Sequence, residues 1–391
     1  MATTSTRTPA IAGLGITEVG KVYGRTAPQF AAEAVRLAAQ DAGLALGDID
    51  GLIVSGGLSD AVGLGMQTEL GLTRLGLFTS MQGYGSTAGQ MVQYASMAVQ
   101  SGMVDTVAVV WADDPLKENK GGGAAYGEHA AKTPSGWMPI TNSGGALTAN
   151  NMYALAARRH MDAYGTTSEQ LGAIAVAQRD WAAMNPRAQL RTPITLDDHQ
   201  ASRMISDPFH LFDCCLVSNG GIAVIVTTAE RARSLAQPVV DVLGWAQAHP
   251  GLTGMRNDDF GLISGAATAG PAALRMAELA LDDIDVVELY DCYTYTALIS
   301  LEDYGFCAKG EGGAFVSQPG VLGPNGSLKV NTGGGQLSSY YLWGMTPLSE
   351  AIIQARGQAG ERQVDRHARV LVSGNGGVLD YHSTLILGND D

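Results

Sequence analysis

One feature narrows the choice of fold more than any other: this 391-residue chain carries the same series of elements twice. "AAEAVRLAAQDAGLALGDIDGLIVSGG" (31–57) has a counterpart in "GPAALRMAELALDDIDVVELYDCY" (270–293). Each reads as an amphipathic helix, a Leu-rich turn, and an Asp-Ile-Asp leading into a β-branched strand. A glycine loop opening a helix follows in both, "MQGYGSTAGQMVQYASMAVQSG" (81–102) and "NTGGGQLSSYYLWGMTPLSEAIIQARGQAG" (331–360). A further strand closes each series, "VDTVAVVWA" (104–112) and "ARVLVSGNGG" (368–377). Strand-like "PAIAGLGITEVG" (9–20) and "QPVVDVLGWAQAH" (237–249) begin them. The order predicts a duplicated α/β fold with sheets side by side and glycine loops converging. The halves span 1–235 and 236–391.

Between the first half's last loop and "DCCLVSNGGIAVIVTTAERA" lies a long insert, 114–205. Its start, "KGGGAAYGEHAAKTPSGW", reads as a mobile surface loop, and "ALTANNMYALAARRHMDAYG" as a helix. Inserts of this length on duplicated α/β scaffolds suit a cover over an active site.

Composition excludes several functions. A net charge of −14 with no basic run leaves nothing to neutralise phosphates, so nucleic acid is not an expected partner. No apolar run reaches membrane-spanning length and the N-terminus lacks a signal pattern, so the cytoplasm is the expected compartment. "GLGIT" (13–17) lacks the third glycine of a dinucleotide fingerprint, and no GxxxxGK[ST] occurs. The seven histidines form no HExxH pair, so no metal is expected in this chain. The four cysteines form no CxxC and read as buried, reduced thiols. "GYGSTAG" (83–89) and "GGGQLS" (333–338) hold equivalent places in the repeat, where backbone N–H groups can face an anion or developing oxyanion. Tyr290, Tyr293 and Tyr295 crowd a strand end beside Asp291 and Cys292, and Tyr340 and Tyr341 follow the second glycine loop.

These residues carry a resemblance over nearly the whole chain. "DCCLVSNGGIAVIVTTAERA" (213–232), "YDCYT" (290–294), "NTGGGQLSSYYLWG" (331–344) and "RGQAGERQV" (356–364) resemble segments of the thiolase superfamily, in its sterol-carrier-protein-type branch. The resemblance implies a five-layer α-β-α-β-α architecture. Three departures bear on chemistry. Gln82 stands where thiolases keep the nucleophilic cysteine, and an amide cannot form an acyl-enzyme. Tyr341 stands in place of the catalytic histidine. "LVSGNGGVLDY" offers no second cysteine.

The pattern is similar to thiolase-like aldolases of steroid side-chain breakdown. That similarity implies retro-aldol cleavage of a β-hydroxyacyl-CoA, giving propionyl-CoA or acetyl-CoA plus a ketone or aldehyde. Carried over by position, Tyr290 and Tyr341 are the catalytic pair, with Tyr340 and Tyr293 as alternates. Gln82, Gly335 and Gly376 are candidates for substrate or oxyanion contact. Such cleavage needs no covalent nucleophile and no cofactor in this chain, CoA being part of the substrate. The resemblance further implies a homodimer and a small OB-fold, zinc-ribbon partner subunit, the only expected place for zinc. Two other readings fit the missing cysteine: a non-catalytic lipid- or acyl-CoA-binding or scaffolding subunit, and a condensing acyltransferase using Cys292. The second is weaker, because Cys292 replaces no nucleophile of the family.

Overall fold

The computed structural model describes residues 7–132, 143–145, 148–251 and 259–389. The strands are β1 (Pro9–Ile16), β2 (Gly51–Ser55), β3 (Leu77–Ser80), β4 (Thr106–Asp113), β5 (Met204–Ser206), β6 (Phe209–His210), β7 (Gly220–Thr228), β8 (Val240–Ala248), β9 (Val286–Glu288), β10 (Lys329–Val330), β11 (Arg369–Gly376) and β12 (Tyr381–Gly388). Apart from the β5–β6 pair they form one sheet in the order β10-β9-β11-β12-β8-β1-β7-β4-β2-β3. Read outwards from the centre, β1-β7-β4-β2-β3 repeats as β8-β12-β11-β9-β10, so the duplicated series is a duplicated five-stranded sheet. The copies join where β1 and β8 pair antiparallel, Ala10 opposite Asp241 and Ile11 opposite Val240. The pairs β2–β3, β2–β4, β9–β10 and β9–β11 are parallel, as strands entered from a crossover helix must be.

Helices complete the layers. Ala27–Ala42 covers the outside of β1, β7 and β4, and Ala266–Ala277 covers β8 and β12. Thr87–Gln100 touches strands of both sheets, and Met345–Ala355 packs against it and against β9 and β11. Both are sandwiched: ten residues of the first and all eleven of the second are buried. These two central helices make the middle layer of the expected α-β-α-β-α stack. Strands enclosed on both faces read as continuous apolar runs, as "TVAVVWAD" of β4 does with every residue buried.

The insert is more ordered than its composition suggests. Ala124–Lys132, within the stretch expected to be a loop, is helical, because two alanine pairs outweigh the flanking glycines; residues 133–137 of that stretch lie outside the described residues. Helices Ala149–Tyr164 and Ser168–Ala183 follow, each opened by a threonine whose side chain accepts from the backbone N–H three residues on. Among the described residues no helix is long and apolar enough to cross a membrane.

Candidate active site

The second half supplies two adjacent segments, the turn after β9 carrying Tyr290 to Tyr293 and the run from Asn331 to Met345. In the latter, Gly334 and Gly335 take left-handed backbone angles, and Gly335–Ser339 then winds a single π-helical turn. The expected equivalence with the first loop fails here. Residues 84–86 run straight into Thr87–Gln100, whereas the second glycine loop reaches its helix only at Met345.

Asp291 is the reason for the π-turn. Its carboxylate accepts the Gln336 N–H at 2.9 and 3.0 Å and the Leu337 N–H at 3.3 Å. A Cβ on Gly335 would lie 2.1 Å from Asp291 Oδ2, so only glycine admits this clasp. The N–H groups that follow Gly335 therefore face Asp291, which removes them as the expected oxyanion donors. Burial pushes the Asp291 carboxyl up to about 7, against the pull of those N–H donors.

Tyr340 leaves the turn in extended backbone, so successive side chains point to opposite sides. The Tyr340 hydroxyl meets Ser349 Oγ at 3.1 Å on the helix side, beside a cavity of about 10 Å³ also lined by Glu288, Gly333 and Glu350. Tyr341 turns the other way. Its hydroxyl lies 2.8 Å from that of Tyr290, with the rings edge-on at 6.3 Å. The two side chains come from positions 51 apart in the chain and are 3% and 7% exposed. Burial holds both phenols well above their ordinary pKa, so both carry their protons at neutral pH. Tyr293 does not reach the pair: it stacks on Phe209 at 4.8 Å and donates to Asn150 Oδ1.

The strip 213–219 stitches these segments together. Cys215 N donates to Cys292 O and Leu216 N to Gln336 O, both at 3.0 Å, and Val217 bridges to Tyr341. Desolvation pushes Cys214 up to about 12 and raises Cys215 and Cys292 as well. Cys292 is fully buried, whereas Cys214, Cys215 and Cys307 are half-buried.

The first half contributes backbone. A Cβ on Gly85 would lie 2.1 Å from Tyr290 Cζ and from Asn375 O, so the glycine loop presses flat against the Tyr290 phenol. Gly376 abuts the same loop, its Cα facing Gly83 O and Gly85 N. Gln82 is exposed and hydrogen-bonds neither Tyr290 nor Tyr341; its Oε1 accepts from Tyr84 N at 3.1 Å and its Nε2 donates to Gly57 O at 3.4 Å, bracing the loop. Tyr84 and Trp343, both with positive φ, face each other at 5.8 Å, and Trp111 stands 5.4 Å from Trp343.

Two residues at the site escaped the sequence reading. Tyr126, on the insert helix, sits 6.2 Å ring to ring from Tyr341 and accepts a hydrogen bond from Trp343 Nε1 at 3.1 Å. A helical reading of "AAYGEHAAK" would have put it on a packed element. Asn375, beside Gly376, is 1% exposed, and neither amide atom has a protein partner among the described residues. Among those residues no cluster of three His, Cys, Asp or Glu side chains could hold a metal ion.

Comparison with known proteins places this geometry in context. Residues 246–389 match the family model described as thiolase C-terminal domain-like. The chain is 38% identical to a steroid side-chain-cleaving aldolase of Thermomonospora curvata, over 97% of this chain and 98% of that one. It is 35% identical to the 17-hydroxy-3-oxo-4-pregnene-20-carboxyl-CoA lyase of Mycobacterium tuberculosis, with the same coverage. Among solved structures, the Ltp2-ChsH2(DUF35) aldolase superposes with a TM-score of 0.85 at 35% identity, over 98% of both chains.

Proposed function

Because this chain belongs to the thiolase superfamily, in the branch of its carbon–carbon lyases, we propose that it cleaves a β-hydroxyacyl-CoA by a retro-aldol reaction run through Tyr290 and Tyr341. The substrate is a steroid side-chain thioester and the products are a shorter acyl-CoA, propionyl-CoA or acetyl-CoA, and a ketone or aldehyde. The kinship with two named steroid-acting enzymes supports the substrate class. The observation that carries the mechanism is the 2.8 Å contact between two buried hydroxyls.

Neutral phenols in contact can pass a proton without a free phenolate. The β-hydroxyl proton moves to one phenol oxygen while that phenol's own proton crosses to the other. The Cα–Cβ bond breaks as the Cβ–O bond becomes a carbonyl, and its electron pair forms the thioester enolate. The second phenol gives its own proton to Cα as it takes the first's, which leaves both tyrosines as they began. Such a relay forms no covalent intermediate, in keeping with Gln82 in the nucleophile's place. The reading includes a homodimer and, supported by the likeness to the Ltp2-ChsH2(DUF35) aldolase, a small OB-fold, zinc-ribbon partner subunit.

A second reading has one observation in its favour. Both phenols are almost fully buried, as they would be in a non-catalytic lipid-binding or scaffolding subunit. One experiment separates the two. The chain is purified with and without the small partner, and β-hydroxyacyl-CoA cleavage is followed by mass spectrometry. Cleavage lost in both Tyr290→Phe and Tyr341→Phe is the expected result. Wild-type turnover by Tyr341→Phe overturns the mechanism, and no turnover by any preparation favours the scaffold.

A further inference from the structure

Tyr84 stands next to Gly85, and the proton relay makes no use of it. Its φ of 52° is left-handed, a conformation that a bulky residue rarely holds and glycine holds freely. Trp343, two residues after Tyr341, is likewise held at a φ of 49°. Strain of this kind persists only where the surroundings enforce it, and it clusters at ligand sites. Core packing does not account for it at Tyr84, whose side chain stays 40% exposed. The angle instead sets the ring into an aromatic strip. From buried Trp343 the strip runs outward through Tyr84 at 5.8 Å, then Tyr381 at 6.0 Å from Tyr84, then exposed His249 at 5.8 Å from Tyr381. Its inner end lies beside the paired phenols, since Gly85 presses on Tyr290 and Trp343 closely follows Tyr341 in the same loop.

We propose that Tyr84 determines specificity, its ring face seating the fused apolar ring system of the substrate while Tyr290 and Tyr341 act on the Cα–Cβ bond. This rests on the functional reading above and adds to it the position of one end of the substrate. A steroid side-chain thioester has two bulky ends. The ring system is carried on the Cβ side of the bond that breaks, close to the reacting atoms. The nucleotide of CoA hangs at the far end of a long flexible arm on the other side. A strip that begins at the phenols therefore meets the ring system first. Aromatic faces suit it, because a flat apolar body packs on them over a large area and asks for no charge. Tyr381 and Asp380 lie near the Tyr84 hydroxyl, so the polar edge of the ring is turned toward protein groups and its faces are what the strip presents.

The test uses the full chain, purified with its partner. Tyr84→Gly removes the ring and gives the left-handed position the residue that suits it, whereas Tyr84→Phe keeps the ring. Thermal melting checks that both fold, and Tyr84→Asn, also tolerated there, replaces the glycine variant if that one melts early. A four-ring steroid ketone, of the product class, and free CoA are each titrated by tryptophan fluorescence, which Trp343 and Trp111 report from the inner end of the strip. Tyr84→Gly is expected to weaken ketone binding and to raise the KM of the steroid thioester about tenfold, the worth of one lost apolar contact of this size. Its kcat and its affinity for free CoA should stay near wild type, and Tyr84→Phe should restore ketone affinity and KM. The inference falls if Tyr84→Gly leaves both ketone affinity and thioester KM unchanged. It falls equally if free CoA is the ligand weakened, which assigns the strip to the nucleotide, or if only kcat drops, which makes Tyr84 a brace for Gly85. Failure of the wild type to cleave any steroid thioester overturns the functional reading instead.

Discussion

At the scale of single residues, neighbours in sequence have been given opposite environments. Tyr340 and Tyr341 differ only in the side of an extended strand they face, one toward Ser349 and one toward Tyr290. Tyr340→Phe should therefore retain turnover and cost about 1 kcal/mol of stability for one neutral hydrogen bond. Tyr341→Phe should lower kcat by about 10²–10⁴-fold, the usual range for a lost acid–base group, with initial-rate kinetics comparing the two. Gly85→Ala would drive a methyl into the Tyr290 ring; we expect about 1–3 kcal/mol of destabilisation and a displaced phenol, read by melting and by kcat together. The sequence displayed all of these residues but not their partners. Which of two adjacent phenols meets Tyr290 depends on a π-turn two residues upstream, and that turn depends on Asp291, 45 positions earlier. The same Asp291 makes a pH prediction. Its folded pKa of about 7 lies above its unfolded value, so its contribution to stability is full below the unfolded pKa and is lost as pH rises through about 7. The melting temperature of the wild type relative to Asp291→Asn should accordingly fall across that window.

At the scale of elements, the insert acts as a frame. Asn185 Nδ2 donates to Gly333 O at 2.8 Å, and Gln189 N and Leu190 N donate to Ser339 O and Ser338 O at 2.9 and 3.0 Å. From within the helix Ser168–Ala183, Arg179 Nε reaches Ser338 Oγ at 2.9 Å. Segments far from the tyrosines thus hold both ends of the π-turn. Asn185→Ala strips a buried carbonyl of its donor and should cost about 1–3 kcal/mol while lowering kcat more than it raises KM; equal effects on both would mean the loop is held elsewhere. The run "ALTANNMYALAARRHMDAYG" made the helix 149–164 readable from sequence, whereas the helix 168–183 was not read there. Their role in bracing the loop was not readable, because it runs through backbone carbonyls that any residue supplies. The helix Ala124–Lys132 was missed for another reason, the glycines around it being stronger punctuation than its alanines.

At the scale of the whole molecule, the two sheets are one sheet, and the largest apolar core runs through both halves, from Ile11 to Leu387. Calorimetry should therefore record a single unfolding transition, whereas two separated peaks would show that residues 1–235 and 236–391 melt as independent units. The duplication was the most legible property of all, since repeated Asp-Ile-Asp strands and repeated glycine loops are local patterns. What it concealed is that the copies no longer do the same thing. One copy supplies the paired phenols, Tyr290 from the turn after β9 and Tyr341 from its glycine loop, and the other's loop supplies the bare backbone against which Tyr290 lies. Joining two identical copies would make the molecule symmetric and lose the centre, for two second halves would bring two pairs of phenols and no Gly85 to seat them. Two first halves would bring walls and nothing to enclose. The two copies thus lean on one another, since a side chain added to the first loop would displace the phenol that the second half supplies.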